Sequence, residues 1–283
     1  MKVVLFCGGY GMRLRDYSET IPKPLVPIGE RPILWHLMKY YAHFGHKDFI
    51  LCLGWKGAAF KEYFLNYNEC MTNDFVLSGG GQNVELLDSD IDDWRITFAD
   101  TGATSSIGQR LKAVKPYLEG EQTFLANYSD GLSDAPLPTM IDYHRQQGGV
   151  ATFLAVPPVD TFHAVTFDHN GVVSGIDWIS HTDAWINAGF FVFEREIFDY
   201  IDDGEDLVAE PFHRLIRKQQ LLAYKYNGFF ACMDTFKQKQ QLDDMYTTDN
   251  TPWAMAKEAS SSGGKRKSKS PESNEKNVRD KKV

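Results

Sequence analysis

The sequence predicts an α/β protein on a mixed, mainly parallel sheet flanked by helices. Three observations carry this. Short apolar runs alternate with stretches of helical periodicity, the pattern that winds strands and crossover helices into a parallel sheet. The first apolar run, Val3–Cys7, leads directly into a glycine-rich turn, Gly8-Gly9-Tyr10-Gly11. Finally, 43% of the 283 residues are hydrophobic, enough to fill the core of one large domain.

The elements follow in order. Val3–Cys7 reads as a buried strand. Pro32 opens a helix that places Ile33, Leu34, Leu37, Met38, Tyr41 and Phe44 on one face. Phe49–Leu53 is the next strand and Gly57–Tyr67 the next helix. The stretch from Asn73 to Asp100 is β-like and interrupts the alternation. Helix Ile107–Val114, strand Thr123–Tyr128, helix Pro138–Gln147 and strand Val150–Val156 resume it. Val165–Phe167 and Val172–Ile176 flank Asn170-Gly171, which predicts a hairpin with a two-residue turn. Strand Ile186–Phe193, helix Glu210–Gln219, strands Leu221–Tyr226 and Phe229–Met233 and helix Thr235–Met245 complete the domain.

Charge divides the chain. Formal net charge is −8, but the residues from Lys257 onward carry +5 and leave −13 on the rest. An acidic body argues against a nucleic-acid-binding fold. The polar run after Ala259 cannot bury enough surface to fold, so residues 1–257 are expected to form the domain and 258–283 a disordered basic tail. Four scattered cysteines without a C-x-x-C pair read as reduced thiols in a cytoplasmic protein. No apolar run reaches the length of a membrane helix.

The glycine turn is where the chemistry begins. Glycines let a backbone approach phosphate oxygens closely and aim N–H groups at them. Arg13 lies inside the turn, and Lys23 stands between Pro22 and Pro24; both supply the charge that a leaving polyphosphate requires. A Walker loop would end in Gly-Lys-Ser/Thr, but here Met12-Arg13-Leu14 follows. A dinucleotide fingerprint would need glycine at Leu14 and an acid after the second strand, where Gly54-Trp55-Lys56 stands. A nucleoside triphosphate is therefore the expected ligand.

Phosphoryl chemistry usually recruits a divalent ion, and Mg²⁺ needs only one or two carboxylates beside the phosphates. Asp130 follows the strand ending at Tyr128, and Asp234 follows the strand ending at Met233. Each also has a structural reading: Asp130 as a turn residue before glycine, Asp234 as a helix cap. Asp134 is a third candidate. The Asp88-Ser89-Asp90-Ile91-Asp92 run lacks the glycine and glutamate of a calcium loop, and reads as a solvated acidic turn. His36, His43 and His46 lie in or beside a helix and read as structural.

Taken together, Gly8-Gly9-Tyr10-Gly11-Met12-Arg13, Pro22-Lys23-Pro24, Pro32-Ile33-Leu34-Trp35-His36, Tyr128-Ser129-Asp130-Gly131, Trp185–Val192 and Met233-Asp234-Thr235 resemble the sugar-1-phosphate nucleotidylyltransferases, and among them the glucose-1-phosphate cytidylyltransferases. The resemblance spans Met1 to Ala256. It implies a Rossmann-like fold of the nucleotide-diphospho-sugar transferase type, with a small β-rich sugar-binding part. It also implies the reaction: a sugar 1-phosphate oxygen attacks the α-phosphorus of a nucleoside triphosphate, CTP being favoured, and pyrophosphate leaves. By this resemblance Gly8, Gly9, Tyr10, Gly11, Met12 and Arg13 hold the triphosphate, and Lys23 bridges the reacting phosphates. Thr104, Gly108 and Arg110 line the nucleotide pocket, Asn187 faces the sugar, and Asp130 and Asp234 hold Mg²⁺. A homo-oligomer is also implied.

Three departures stand out. The family's Glu-Lys-Pro segment, whose lysine meets the sugar phosphate, is Asp177-Trp178-Ile179-Ser180 here. Its Phe-Gly-Ala is Phe162-His163-Ala164, and its Tyr-Gly-Asp is Tyr128-Ser129-Asp130. Arg110, His163 or His181 could replace the lysine. The departures leave three alternatives open: UTP or dTTP as donor, a different acceptor phosphate, or a non-catalytic nucleotide-binding regulator.

Overall fold

A computed structural model of the chain describes residues 1–9, 21–158 and 162–255. Strand β1 (Val3–Phe6) is buried along its whole length. A small hairpin, β2 (Pro27–Ile28) and β3 (Arg31–Pro32), leads into helix α1 (Ile33–His43), which Pro32 caps with its fixed φ. Then come β4 (Asp48–Leu53), α2 (Gly57–Leu65), the hairpin β5 (Phe75–Ser78) and β6 (Asn83–Leu86), and β7 (Arg95–Asp100). Next are α3 (Ile107–Val114), β8 (Thr123–Asn127), β9 (Gly131–Ser133), α4 (Leu137–Gln147) and β10 (Ala151–Val156). The hairpin β11 (His163–Phe167) and β12 (Val173–Trp178) precedes β13 (Ile186–Glu194), α5 (Glu210–Arg217), β14 (Leu221–Lys225), β15 (Phe230–Cys232) and α6 (Phe236–Thr247).

Seven strands form the central sheet in the order β14-β10-β13-β8-β1-β4-β7. β13 runs antiparallel to both of its neighbours, and the other pairings are parallel. The carboxyl ends of six strands therefore share one edge, the edge where ligands of α/β sheets bind. Alternation along β1 separates the core into two layers. Val3 and Leu5 pack with α1 residues such as Leu34 and Met38. Val4 and Phe6 pack with Leu111 of α3 and Phe212 and Leu215 of α5.

Three details depart from the sequence reading. The β11–β12 turn is not a two-residue one: Asp168 pairs with Val172, with His169, Asn170 and Gly171 between them. Asp168 Oδ1 accepts N–H bonds from Asn170 and Val172, and Gly171 takes φ +82°, the geometry of a three-residue loop closed by a left-handed glycine. Second, the apolar run at Phe229–Met233 forms only the short β15, paired with β9 outside the central sheet. Third, the acidic turn is not wholly solvated. Asp90 is buried and accepts from Thr72 Oγ1 at 2.6 Å and Tyr67 Oη at 3.1 Å, beside Arg31 and Lys39. His36 is buried, as expected, with Nε2–H directed at the Ile28 carbonyl.

Candidate active site

Three residues far apart in sequence converge at the ligand edge. Pro22 starts a single 3-10 turn, Lys23–Leu25, that turns Lys23 inward. Asp130 follows β8, and Asp234 follows β15. The β9–β15 ribbon brings the two aspartates together: Cys232 pairs with Gly131, and the Met233 N–H donates to the Asp130 carbonyl. Lys23 Nζ lies 2.7 Å from Asp130 Oδ2 and 2.5 Å from Asp234 Oδ1. The lysine side chain is 11% exposed, and each carboxylate is 32% exposed. Burial pulls the ammonium pKa down, but Asp130 and then Asp234 outweigh it, so the net shift is upward and Lys23 stays charged at neutral pH.

Asp234 is not the helix cap. Thr235 caps α6, accepting from the Gln238 N–H, while Gln238 Oε1 accepts from the backbone of Thr235 and Asp234. This capping box satisfies the helix terminus and leaves the Asp234 carboxylate to face Lys23. Asp134 serves the scaffold, accepting from Tyr226 Oη at 2.7 Å and the Phe229 N–H at 2.8 Å.

A second cation organises the same edge. Arg110, on α3, is buried and bonds the Thr101 hydroxyl at 2.8 Å and the carbonyls of Gly8 at 3.0 Å, Leu53 at 3.3 Å and Ala103 at 3.4 Å. It thus ties together the segments that follow β1, β4 and β7. Gly8 is required for this: a Cβ there would lie 1.9 Å from Arg110 Nη1. Gly9 follows at the surface, and Thr104 is exposed on the loop after β7. Gly108 lets α3 pack against the Glu205 carbonyl, which a Cβ would approach to 2.5 Å. Tyr10, Gly11, Met12 and Arg13 lie outside the described residues.

Asn187 lies at the start of β13, where its Oδ1 accepts from the Gly189 N–H at 2.9 Å. Its side chain lies beside Tyr128, whose phenol pKa is raised by burial and then by nearby Asp206. Between Tyr128 and Asp130, Ser129 takes φ +68°, a conformation that favours glycine. Asn127 Oδ1 holds its N–H at 2.8 Å. His163 stacks on Trp178 at 4.0 Å, and His181 meets Asp177 at 3.0 Å, so both engage groups of their own hairpin region. The sequence reading missed Thr101, Ser129's conformation and the capping box. The Thr235–Gln238 spacing was the signal for the last of these.

This constellation defines a class. Residues 2–235 match the nucleotidyl transferase family, and the chain belongs to it. The chain is 37% identical over 255 residues to a probable glucose-1-phosphate cytidylyltransferase of Bacillus subtilis, covering 89% of this chain and 99% of the relative. It is also 37% identical over 254 residues to the glucose-1-phosphate cytidylyltransferase of Salmonella typhi, covering 89% and 98%. Among solved structures, HddC from Yersinia pseudotuberculosis shares the fold with a TM-score of 0.62 at 19% identity, over 87% of this chain and 99% of that one.

Proposed function

We propose that the protein joins CTP to a sugar 1-phosphate, glucose 1-phosphate first among candidates, giving a CDP-sugar and pyrophosphate. Near-complete overlap with two cytidylyltransferases at 37% identity carries this reading, and the Lys23–Asp130–Asp234 cluster at the ligand edge supports it.

The chemistry needs few groups. A sugar phosphate oxygen is already anionic, so no general base is required; positioning and charge carry the rate. In this reading Lys23 exchanges its carboxylates for phosphate oxygens and steadies the charge that builds on them. Gly8 and Gly9 present backbone beside the triphosphate, with Arg13 against the leaving pyrophosphate. Thr104 and Gly108 border the nucleotide, and Asn187 meets the sugar. Arg110 acts by holding the loops in register.

Asp130 and Asp234 converge on one cation, Lys23, within hydrogen-bond distance, so the pair already defines a cation-sized site. Among the described residues no cluster of three or more His, Cys, Asp or Glu side chains gathers. Two carboxylates suit Mg²⁺, which takes most of its remaining ligands from phosphates and water. When bound there, Mg²⁺ would neutralise phosphate charge.

No helix among the described residues is long and apolar enough to cross a membrane. Four unpaired thiols, two of them buried, favour a cytoplasmic protein. Both outlying hairpins expose apolar residues, including Leu77, Val84, Phe167 and Ile176, which favours a homo-oligomer. Light scattering would read its mass.

The test is pyrophosphate release with Mg²⁺ and glucose 1-phosphate, offered CTP, UTP, dTTP, ATP and GTP in turn. Release with CTP is expected. Release with UTP or dTTP alone would reassign the base, and CTP binding without release would turn the reading toward another acceptor or a regulator.

A further inference from the structure

Lys225 is a cation at the ligand edge that no carboxylate of the described residues meets. It ends β14, is exposed, and its Nζ stands 4.9 Å from the centre of the Trp185 ring. Lys23, Lys39, Lys47, Lys112 and Lys239 each meet a carboxylate. Among the described residues Lys225 meets none; the indole face holds its ammonium instead.

Register places this lysine beside the sugar residue. Ala155 of β10 pairs with Lys225 on one side and with Asn187 on the other. Residues paired across strands share a face. Tyr128 joins the same face through its edge contact with Phe191, four residues along β13 from Asn187. Trp185, two residues before Asn187, extends the surface toward Lys225. Strands lie about 4.8 Å apart, so Lys225 sits roughly 10 Å beyond the strand of Asn187, away from β8 and Asp130. An acceptor with its phosphate near Lys23 and its ring over Asn187 brings its remote carbons to this point.

We propose that Trp185 and Lys225 form the far wall of the acceptor subsite. The ammonium donates to a hydroxyl on the sugar carbons remote from the phosphate, and the indole packs against the C–H face of the ring. This rests on the sugar-1-phosphate reading above. It makes the pair a reader of acceptor identity, since a site built to bond a hydroxyl discriminates strongly against an analogue lacking it.

The test uses Lys225→Met, which changes an exposed side chain, with glucose 1-phosphate and its 4-deoxy and 6-deoxy analogues at saturating CTP. For the variant, KM for glucose 1-phosphate should rise about tenfold, the scale of one hydrogen bond to a charged group. KM for CTP and kcat should stay within about twofold by the same arithmetic. One deoxy analogue should show the same loss with the wild-type protein and no further loss with the variant. An unchanged KM for glucose 1-phosphate, or an equal penalty on all three acceptors, overturns the proposal. If the wild-type protein releases no pyrophosphate, the function reading fails separately. Calorimetric binding of glucose 1-phosphate then decides: weaker binding by the variant upholds the wall, and equal affinity removes it.

Discussion

Lys23 and Arg110 bring positive charge to the same sheet edge and are held in opposite ways. Lys23 meets two carboxylates, each about one-third exposed, on segments that a short ribbon brings together. Arg110 is buried, and among the described residues it bonds three carbonyls and a hydroxyl. Carboxylates near solvent can exchange a lysine for a metal ion or a phosphate-bound lysine for water. Carbonyls in a dry core cannot be abandoned without leaving buried polar groups unpaired. The difference teaches that charge at a sheet edge can be held in two ways: a cation paired with partly exposed carboxylates stays exchangeable, and a cation buried among loop carbonyls does not.

The largest expected effect tests the exchangeable cluster. Asp130→Asn should lower turnover by about 10³-fold, the scale of losing a preorganised electrostatic contact, with little change in melting temperature. Pyrophosphate release and a thermal melt measure both, and near-wild-type turnover would strip Asp130 of its assigned role. Lys23→Met should cost about 10²-fold in kcat and leave KM for CTP nearly unchanged, because its charge matters most in the transition state. Without the lysine the two carboxylates repel, so Mg²⁺ should raise the melting temperature more in this variant than in the wild type.

The scaffold side of the comparison breaks differently. Gly8→Ala drives a Cβ into the Arg110 guanidinium and should cost about 2–3 kcal/mol of stability in denaturant unfolding. A wild-type unfolding midpoint would mean the guanidinium is free to move. The smallest effect is expected at Ser129→Gly. Relief of the left-handed backbone opposes the added freedom of the unfolded chain, so stability should change by less than about 1 kcal/mol. Ser129→Val should cost clearly more, and equal stabilities would refute the strain assigned to φ +68°.

Much of this was legible in residues. The alternation of Val3–Cys7, the helix from Pro32 and the strand Phe49–Leu53 foretold the sheet, because each element's pattern matches its own burial. The helix Ile107–Val114 fell where periodicity placed it. The hairpin at Asn170-Gly171 was legible too, but its turn was not, since Asp168 supplies the bonds that lengthen the loop. Asp234 carried two readings in sequence, cap and ligand. Thr235 and Gln238 took the cap, and the carboxylate meets Lys23.

By itself the sequence determined the α/β architecture, the glycine-rich stretch that follows the first strand, and the kinds of charged residue placed after individual strands. These are local properties, set by periodicity, backbone freedom and charge along a short stretch. Tertiary structure alone decided which charges face one another. Lys23 lies 107 residues from Asp130 and 211 from Asp234, and a short antiparallel ribbon closes those distances to hydrogen bonds. The same packing sent Arg110 inward to carbonyls and left Lys225 over an indole at the edge. Hydrogen-bond partners are chosen by register and burial, and neither is written in the spacing of residues along one strand.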